Sequence, residues 1–146
     1  MSRRPTAVLY VCSLNRVRSP TAAGLARKFY GDSLKVESCG LEPADEVDAL
    51  ATAAMREVGV ELSGHRPKAL KDMRLGAFDL VVALSREAEV AVRGLGRDGA
   101  EVEAWGVFDP TVEEGSHDMR LEAYRQTRKE LERRITGRFG QPPECA

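Results

Sequence analysis

The sequence predicts an α/β protein whose strands lie parallel in one sheet. Three observations carry that expectation. Four stretches of strand length, the first an unbroken apolar run, alternate with stretches of helical apolar spacing, and Gly, Pro or Ser punctuates the joints.

Ala7–Val11 is the first run, bounded by Pro5 and a polar loop, as in a strand covered on both faces. After the loop, Ser19 suits an N-cap and Pro20 a first helical position, where a missing N–H costs nothing. Ala22, Leu25, Ala26 and Phe29 continue at helical spacing, and Gly31 suits the stop. Leu34–Cys39 reads as a shorter second strand. Val47, Leu50, Ala51, Ala54 and Val58 mark one face of a second helix, closed by Gly59. Gly59–Lys71 has no clear period and reads as a loop or short helix.

Phe78–Leu84 is the third strand, with Ser85 as cap for a helix over Arg86–Arg93 that Gly94 or Gly96 closes. Val102–Val107 is the fourth strand, followed by Asp109-Pro110. Gly115–Ser116 then leads into an amphipathic helix with Leu121, Tyr124, Leu131 and Ile135 on one stripe. Helices on both faces of four strands give a three-layer, flavodoxin-like, doubly wound sheet in the order 2-1-3-4. Ligands of such sheets bind beyond the strands' C-terminal ends, where the first loop and Asp109 both lie.

At 146 residues the chain fits one domain, with a core over about residues 6–136 and a flexible tail expected over 137–146. Apolar residues make up 42% and charged residues 31%, the balance of an ordinary globular protein. A net charge of −1 gives no global field toward nucleic acid or an anionic membrane. No apolar run approaches the ~20 residues of a membrane helix, and the N-terminus lacks a signal peptide's apolar stretch. Cys12, Cys39 and Cys145 do not make a disulfide framework, so a cytoplasmic setting is expected. His65 and His117 lack the spacing of a metal site; His65 reads as a packing or hydrogen-bonding residue and His117 as surface. Neither metal nor cofactor is expected.

The loop after the first strand carries the chemistry. Cys12 and Arg18 stand with five residues between them, followed by Ser19 and Pro20. A loop passing from strand into helix can curl its N–H groups inward around an anion, and the helix N-terminus adds positive potential. Arg18 offers a planar fork to two phosphate oxygens, and a cysteine facing such a pocket is favoured as its thiolate. An oxyanion cradle holding a sulfur nucleophile suits phosphoryl transfer. A buried cysteine acting as a small hydrophobe would leave Arg18 and the polar loop unexplained.

The stretch CSLNRVRSP resembles the phosphate-binding loop of the low-molecular-weight protein tyrosine phosphatases, whose fold thioredoxin-coupled arsenate reductases share. The resemblance covers about residues 6–136. It implies Cys12 as nucleophile, Arg18 as phosphate clamp, Asn15 as the loop-shaping residue and Ser19 as a hydroxyl near the sulfur. Ser13, Leu14, Arg16 and Val17 would complete the loop around the substrate phosphate. Asp109 takes the position of the general acid, although Asp-Pro is also a common turn opening. Ser19 equally suits a plain helix cap, Asn15 a plain loop residue, and Arg16 reads as a solvated charge. The segment around His65, Arg66 and Pro67 is similar to a family Gly-Ile…His-x-Ala-Arg stretch, with Arg one place early.

The sequence also departs from the family. Leu14 stands where Gly is usual and Val17 where many members carry a second Cys, whose disulfide shields the nucleophile from peroxide. Thr111 replaces the aromatic that follows Asp-Pro, and no Trp or Tyr after Cys39 supplies the facing wall; Trp105 reads as core. Three functions fit: a phosphatase acting on phosphotyrosine or related phosphomonoesters, an arsenate reductase, or a silent module that binds phosphoproteins. The expected partners are a phosphorylated protein or small phosphoester, with inorganic phosphate or another oxyanion in the loop. The reductase needs a downstream cysteine pair, and no cysteine lies between Cys39 and Cys145. Cys39 reads as packing, with a reversible bridge to Cys12 as the sharper alternative.

Overall fold

The computed structural model describes residues 4–95 and 100–142. Four strands, β1 (Ala7–Cys12), β2 (Lys35–Gly40), β3 (Leu80–Ala83) and β4 (Glu101–Ala104), pair in parallel in the order β2-β1-β3-β4. That is the order and class the sequence predicts. The helices are α1 (Arg18–Tyr30), α2 (Ala49–Arg56), α3 (Arg86–Gly94) and α4 (His117–Phe139).

The central strand β1 is buried almost throughout, which is why it reads as an uninterrupted apolar run. Its alternate side chains feed two cores. Val8, Tyr10 and Cys12 face α1, α2 and α4, where Leu25, Met55, Leu131 and Ile135 pack. Leu9 and Val11 face the other way, toward Ala88 and Val92 of α3 and the turns carrying Leu70, Leu75 and Phe78. Trp105 is core, its ring tilted against Tyr10 at 6.0 Å. None of the described helices is long and apolar enough to cross a membrane.

Several boundaries differ from the sequence expectation. β4 ends at Ala104, although Trp105 N–H still donates to the Ala83 carbonyl, and β3 is confined to Leu80–Ala83. Beyond Trp105 the chain leaves the sheet toward the cleft, so Val107 is buried outside any strand. Asp48, not Val47, sets the start of α2, its carboxylate accepting from the Leu50 and Ala51 N–H groups. α4 runs through Gly137 to Phe139, past the expected start of a flexible tail. Buried Phe139 holds it there against Tyr30, whose hydroxyl donates to the Gly140 carbonyl. Gly96, residues 143–146 of the expected tail and Cys145 lie outside the described residues. His117 is exposed as the first residue of α4.

Candidate active site

β1 delivers Cys12 to the C-terminal edge of the sheet, and residues 13–17 turn from there into α1. The segment leaving β2 braces this loop from outside. Leu41, Glu42, Ala44 and Asp48 donate their N–H groups to the carbonyls of Cys12, Ser13, Leu14 and Arg16 at 2.9–3.2 Å. These four carbonyls are thus tied back. Among the described residues, none of the N–H groups of residues 13–17 donates to a protein acceptor. Gly40 makes the close approach possible: a Cβ there would lie 2.6 Å from the Asn15 nitrogen and 2.8 Å from the Leu14 carbonyl carbon.

Asn15 turns the loop. It is the one non-glycine residue with positive φ among those described, at 50°, and its side chain is fully buried. Its Oδ1 accepts from the Lys68 N–H at 2.8 Å and lies 3.1 Å from His65 Nε2; its Nδ2 donates to Ser19 Oγ at 2.7 Å and Ser38 Oγ at 3.0 Å. With Oδ1 committed to a backbone donor, the amide orientation is fixed and His65 Nε2 is the donor. Burial, then Lys68 and Arg27, holds the His65 imidazole below its ordinary range.

Ser19 is not the helix cap expected from the sequence. α1 begins one residue earlier at Arg18, Val17 occupies the cap without a side-chain bond, and Pro20 falls third, still among the orphan N–H positions. The Ser19 hydroxyl is engaged elsewhere: 2.9 Å from Cys12 Sγ, 3.3 Å from the Cys39 carbonyl, and accepting from Asn15.

Arg18 lies in the cleft with its side chain 13% exposed. Its NH1 donates to the Leu84 carbonyl at 3.4 Å and the Val107 carbonyl at 3.2 Å, while NH2 lies 3.8 Å from Asp109 Oδ2. Asp109 caps a short 3-10 turn, Pro110–Val112, its Oδ1 accepting from the Thr111 N–H and hydroxyl. A cleft of about 370 Å³ gathers Cys12, Ser13, Leu14, Arg16, Val17, Arg18, Glu87, Asp109 and Thr111. Every loop and acid residue singled out in the sequence lines it except Asn15 and Ser19, which support it from below.

Arg16 is more than a solvated charge, since its guanidinium pairs with Asp48 at 3.4 Å. Asp48 and Glu87 belong to no sequence motif; only the helical register of α2 points to Asp48, as a cap. Ser13 Oγ reaches Ser85 Oγ at 3.3 Å and Glu87 at 3.5 Å, tying the loop to the start of α3.

Cys39 pairs in register with Val11, and Cys12 with Gly40. Successive strand residues point to opposite faces, and the two thiols accordingly belong to different cores. A disulfide between them would need backbone movement, which favours the packing reading. Burial pushes the Cys39 thiol up to about 12, with Cys12 adding to the effect and Lys68 opposing it.

The model of the low molecular weight phosphotyrosine protein phosphatase family matches residues 7–141. An arsenate reductase from Halalkalibacterium halodurans is 31% identical over 128 residues, covering 88% of this chain and 91% of that protein. Among solved structures, an arsenate reductase in the phosphate-binding state superposes with a TM-score of 0.71 at 27% identity, covering 90% of this chain and 94% of its own. The YwlE arginine phosphatase from Geobacillus stearothermophilus does so with a TM-score of 0.74 at 25% identity, covering 90% and 88%. The fold, the Cys-x5-Arg loop and these likenesses agree: this chain belongs to the low molecular weight phosphotyrosine protein phosphatase family.

Proposed function

We propose that the protein is a cysteine-dependent phosphatase that hydrolyses phosphomonoesters through a phosphocysteine intermediate. One observation carries the reading: four of the loop's carbonyls are tied outward, its N–H groups have no protein acceptor among the described residues, and Cys12 and Arg18 flank it. Such a cradle binds a tetrahedral oxyanion and stabilises charge that develops on it.

In the first step Cys12 Sγ attacks phosphorus in line, the S–P bond forms and the ester P–O bond breaks. Arg18 and the loop N–H groups hold the equatorial oxygens. Asp109 gives its proton to the leaving oxygen. In the second step Asp109 accepts a proton from water, which attacks phosphorus and releases sulfur. Ser19 has one hydroxyl proton, which reaches the Cys39 carbonyl at 3.3 Å and can turn to the departing sulfur 2.9 Å away. The substrates are a phosphorylated protein or a small phosphoester, and the setting is cytoplasmic.

A reductase reading draws on the names of the relatives. Against it stand the 105 residues from Gly40 to Glu144 without a cysteine and the divergent faces of Cys12 and Cys39. Hydrolysis of p-nitrophenyl phosphate by wild type, Cys12→Ser and Asp109→Asn in reducing buffer tests the proposal. Turnover abolished by the first variant and lowered by the second is expected. A wild type that binds phosphate without turnover would support a silent module, and thiol-driven arsenate reduction would support the reductase.

A further inference from the structure

The acid in this mechanism is gripped by a side chain that the mechanism has not used. Thr111 Oγ1 donates to Asp109 Oδ1 at 2.7 Å, and the Thr111 N–H donates to the same oxygen at 3.0 Å. The other oxygen, Oδ2, is the one near Arg18, at 3.8 Å. A carboxyl oxygen accepting two hydrogens leaves no room for a proton of its own. Neutral Asp109 therefore carries its proton on Oδ2, on the side of the phosphate clamp.

Thr111 also shapes the mouth of the cleft. No aromatic side chain is among the described residues that line it; Leu14, Glu87 and Thr111 stand there instead. Phe108 is 58% exposed but borders a separate hollow with Gly106, Thr127 and Arg133. An aryl substrate would find no flat ring to stack on. An aryl leaving group stabilises its own negative charge, whereas an aliphatic alkoxide departs only if a proton reaches it as the P–O bond breaks.

We infer that Thr111 is a positioning residue that commits the Asp109 proton to Oδ2, and that the site serves phosphomonoesters of aliphatic alcohols. The inference rests on the phosphatase reading above. In the step it concerns, the Cys12 S–P bond forms, the ester P–O bond breaks with its electron pair left on oxygen, and the Oδ2 proton neutralises that oxygen. Asp109 is left as a carboxylate still held at Oδ1 by Thr111.

The test compares propyl phosphate, phenyl phosphate and p-nitrophenyl phosphate on wild type, Thr111→Val and Thr111→Ser. Valine keeps the shape and removes the hydroxyl; serine keeps the hydroxyl. Thr111→Val is expected to lower kcat on propyl phosphate by about tenfold or more with KM unchanged, and to lower p-nitrophenyl phosphate turnover by a clearly smaller factor, since an aryl leaving group depends less on the proton. Thr111→Ser is expected to restore propyl phosphate turnover. Equal losses on all three esters, no loss at all, or failure of serine to rescue would overturn the positioning role. A wild-type kcat/KM preference for phenyl over propyl phosphate beyond about a hundredfold would overturn the substrate class. A wild type inactive on all three would overturn the phosphatase reading itself, a result distinct from the others.

Discussion

His65 and Asn15 are joined across fifty residues of chain, the ring Nε2 lying 3.1 Å from the amide Oδ1. Through Asn15 the imidazole is two hydrogen bonds from Ser19 and three from the Cys12 sulfur. Burial is the first cause that keeps His65 neutral, with Lys68 and Arg27 adding to it and Glu37 opposing. The unfolded chain then binds a proton at higher pH than the fold does. Stability is complete above the ordinary histidine value and falls as pH drops below it. Melting temperature measured between pH 8 and 5.5 should decline on acidification, and less steeply in His65→Gln, which keeps a donor toward Asn15. Equal slopes in the two proteins would remove His65 from the balance.

Ser19→Ala should uncouple the two chemical steps. In the mechanism proposed above, the hydroxyl 2.9 Å from Cys12 acts when sulfur leaves phosphorus, not when it attacks. A rapid burst of p-nitrophenolate followed by a steady rate lowered by about tenfold or more is expected in stopped flow. Loss of the burst itself would assign Ser19 to the first step.

Gly40→Ala should damage the loop from outside the cleft. The new methyl would meet backbone at 2.6 and 2.8 Å, and backbone on a braced loop cannot swing aside as a side-chain tip can. A loss of about 1–3 kcal/mol in urea unfolding, together with weakened phosphate binding, is expected. Unchanged phosphate affinity would show that the loop tolerates displacement.

Asp48 ties three parts of the chain together. It caps α2, accepts from the buried Tyr124 hydroxyl at 3.1 Å and pairs with Arg16 at 3.4 Å. Burial, then the Asp48 charge, keeps the Tyr124 phenol above its ordinary value. Asp48→Ala removes a cap worth about 1 kcal/mol and leaves a hydroxyl stranded, at a further cost of about 1–3 kcal/mol. In the double-mutant cycle, Tyr124→Phe should cost less in the Asp48→Ala background than in wild type. Additive losses would deny the coupling.

The sheet was legible because β1 and β3 are buried on both faces and so spell themselves as apolar runs. The loop was legible because its residues lie within eight positions of one another. What supports the loop was not. Ser19 has the residue type and position of a cap, and only the nearby Cys12 sulfur and Asn15 amide reveal that its hydroxyl is spent elsewhere. Gly40 and Asp48 act on the loop through contacts between separate chain segments, which leave no local pattern. Residues Gly59–Lys71 lack a period because their task is polar: the Lys68 N–H and His65 ring meet Asn15, and the Lys68 carbonyl accepts from Gly40. The sequence pattern overruns β4 because Trp105 and Val107 are buried like strand residues after the strand has ended.

The Cys12–Arg18 loop is a short piece of sequence, yet what shapes it comes from nearly everywhere: Ser38 and Gly40, the Leu41–Asp48 segment, His65 and Lys68, the carbonyls of Leu84 and Val107, and Asp109. An oxyanion gripped there is gripped by the whole chain. Occupancy and global unfolding are then one equilibrium, in which an oxyanion at a hundred times its Kd adds about 2.7 kcal/mol to the unfolding free energy. A thermal shift with phosphate or vanadate would report on the integrity of β3 and β4 as directly as on the loop. A chain cut before β4 would have no ligand to be rescued by.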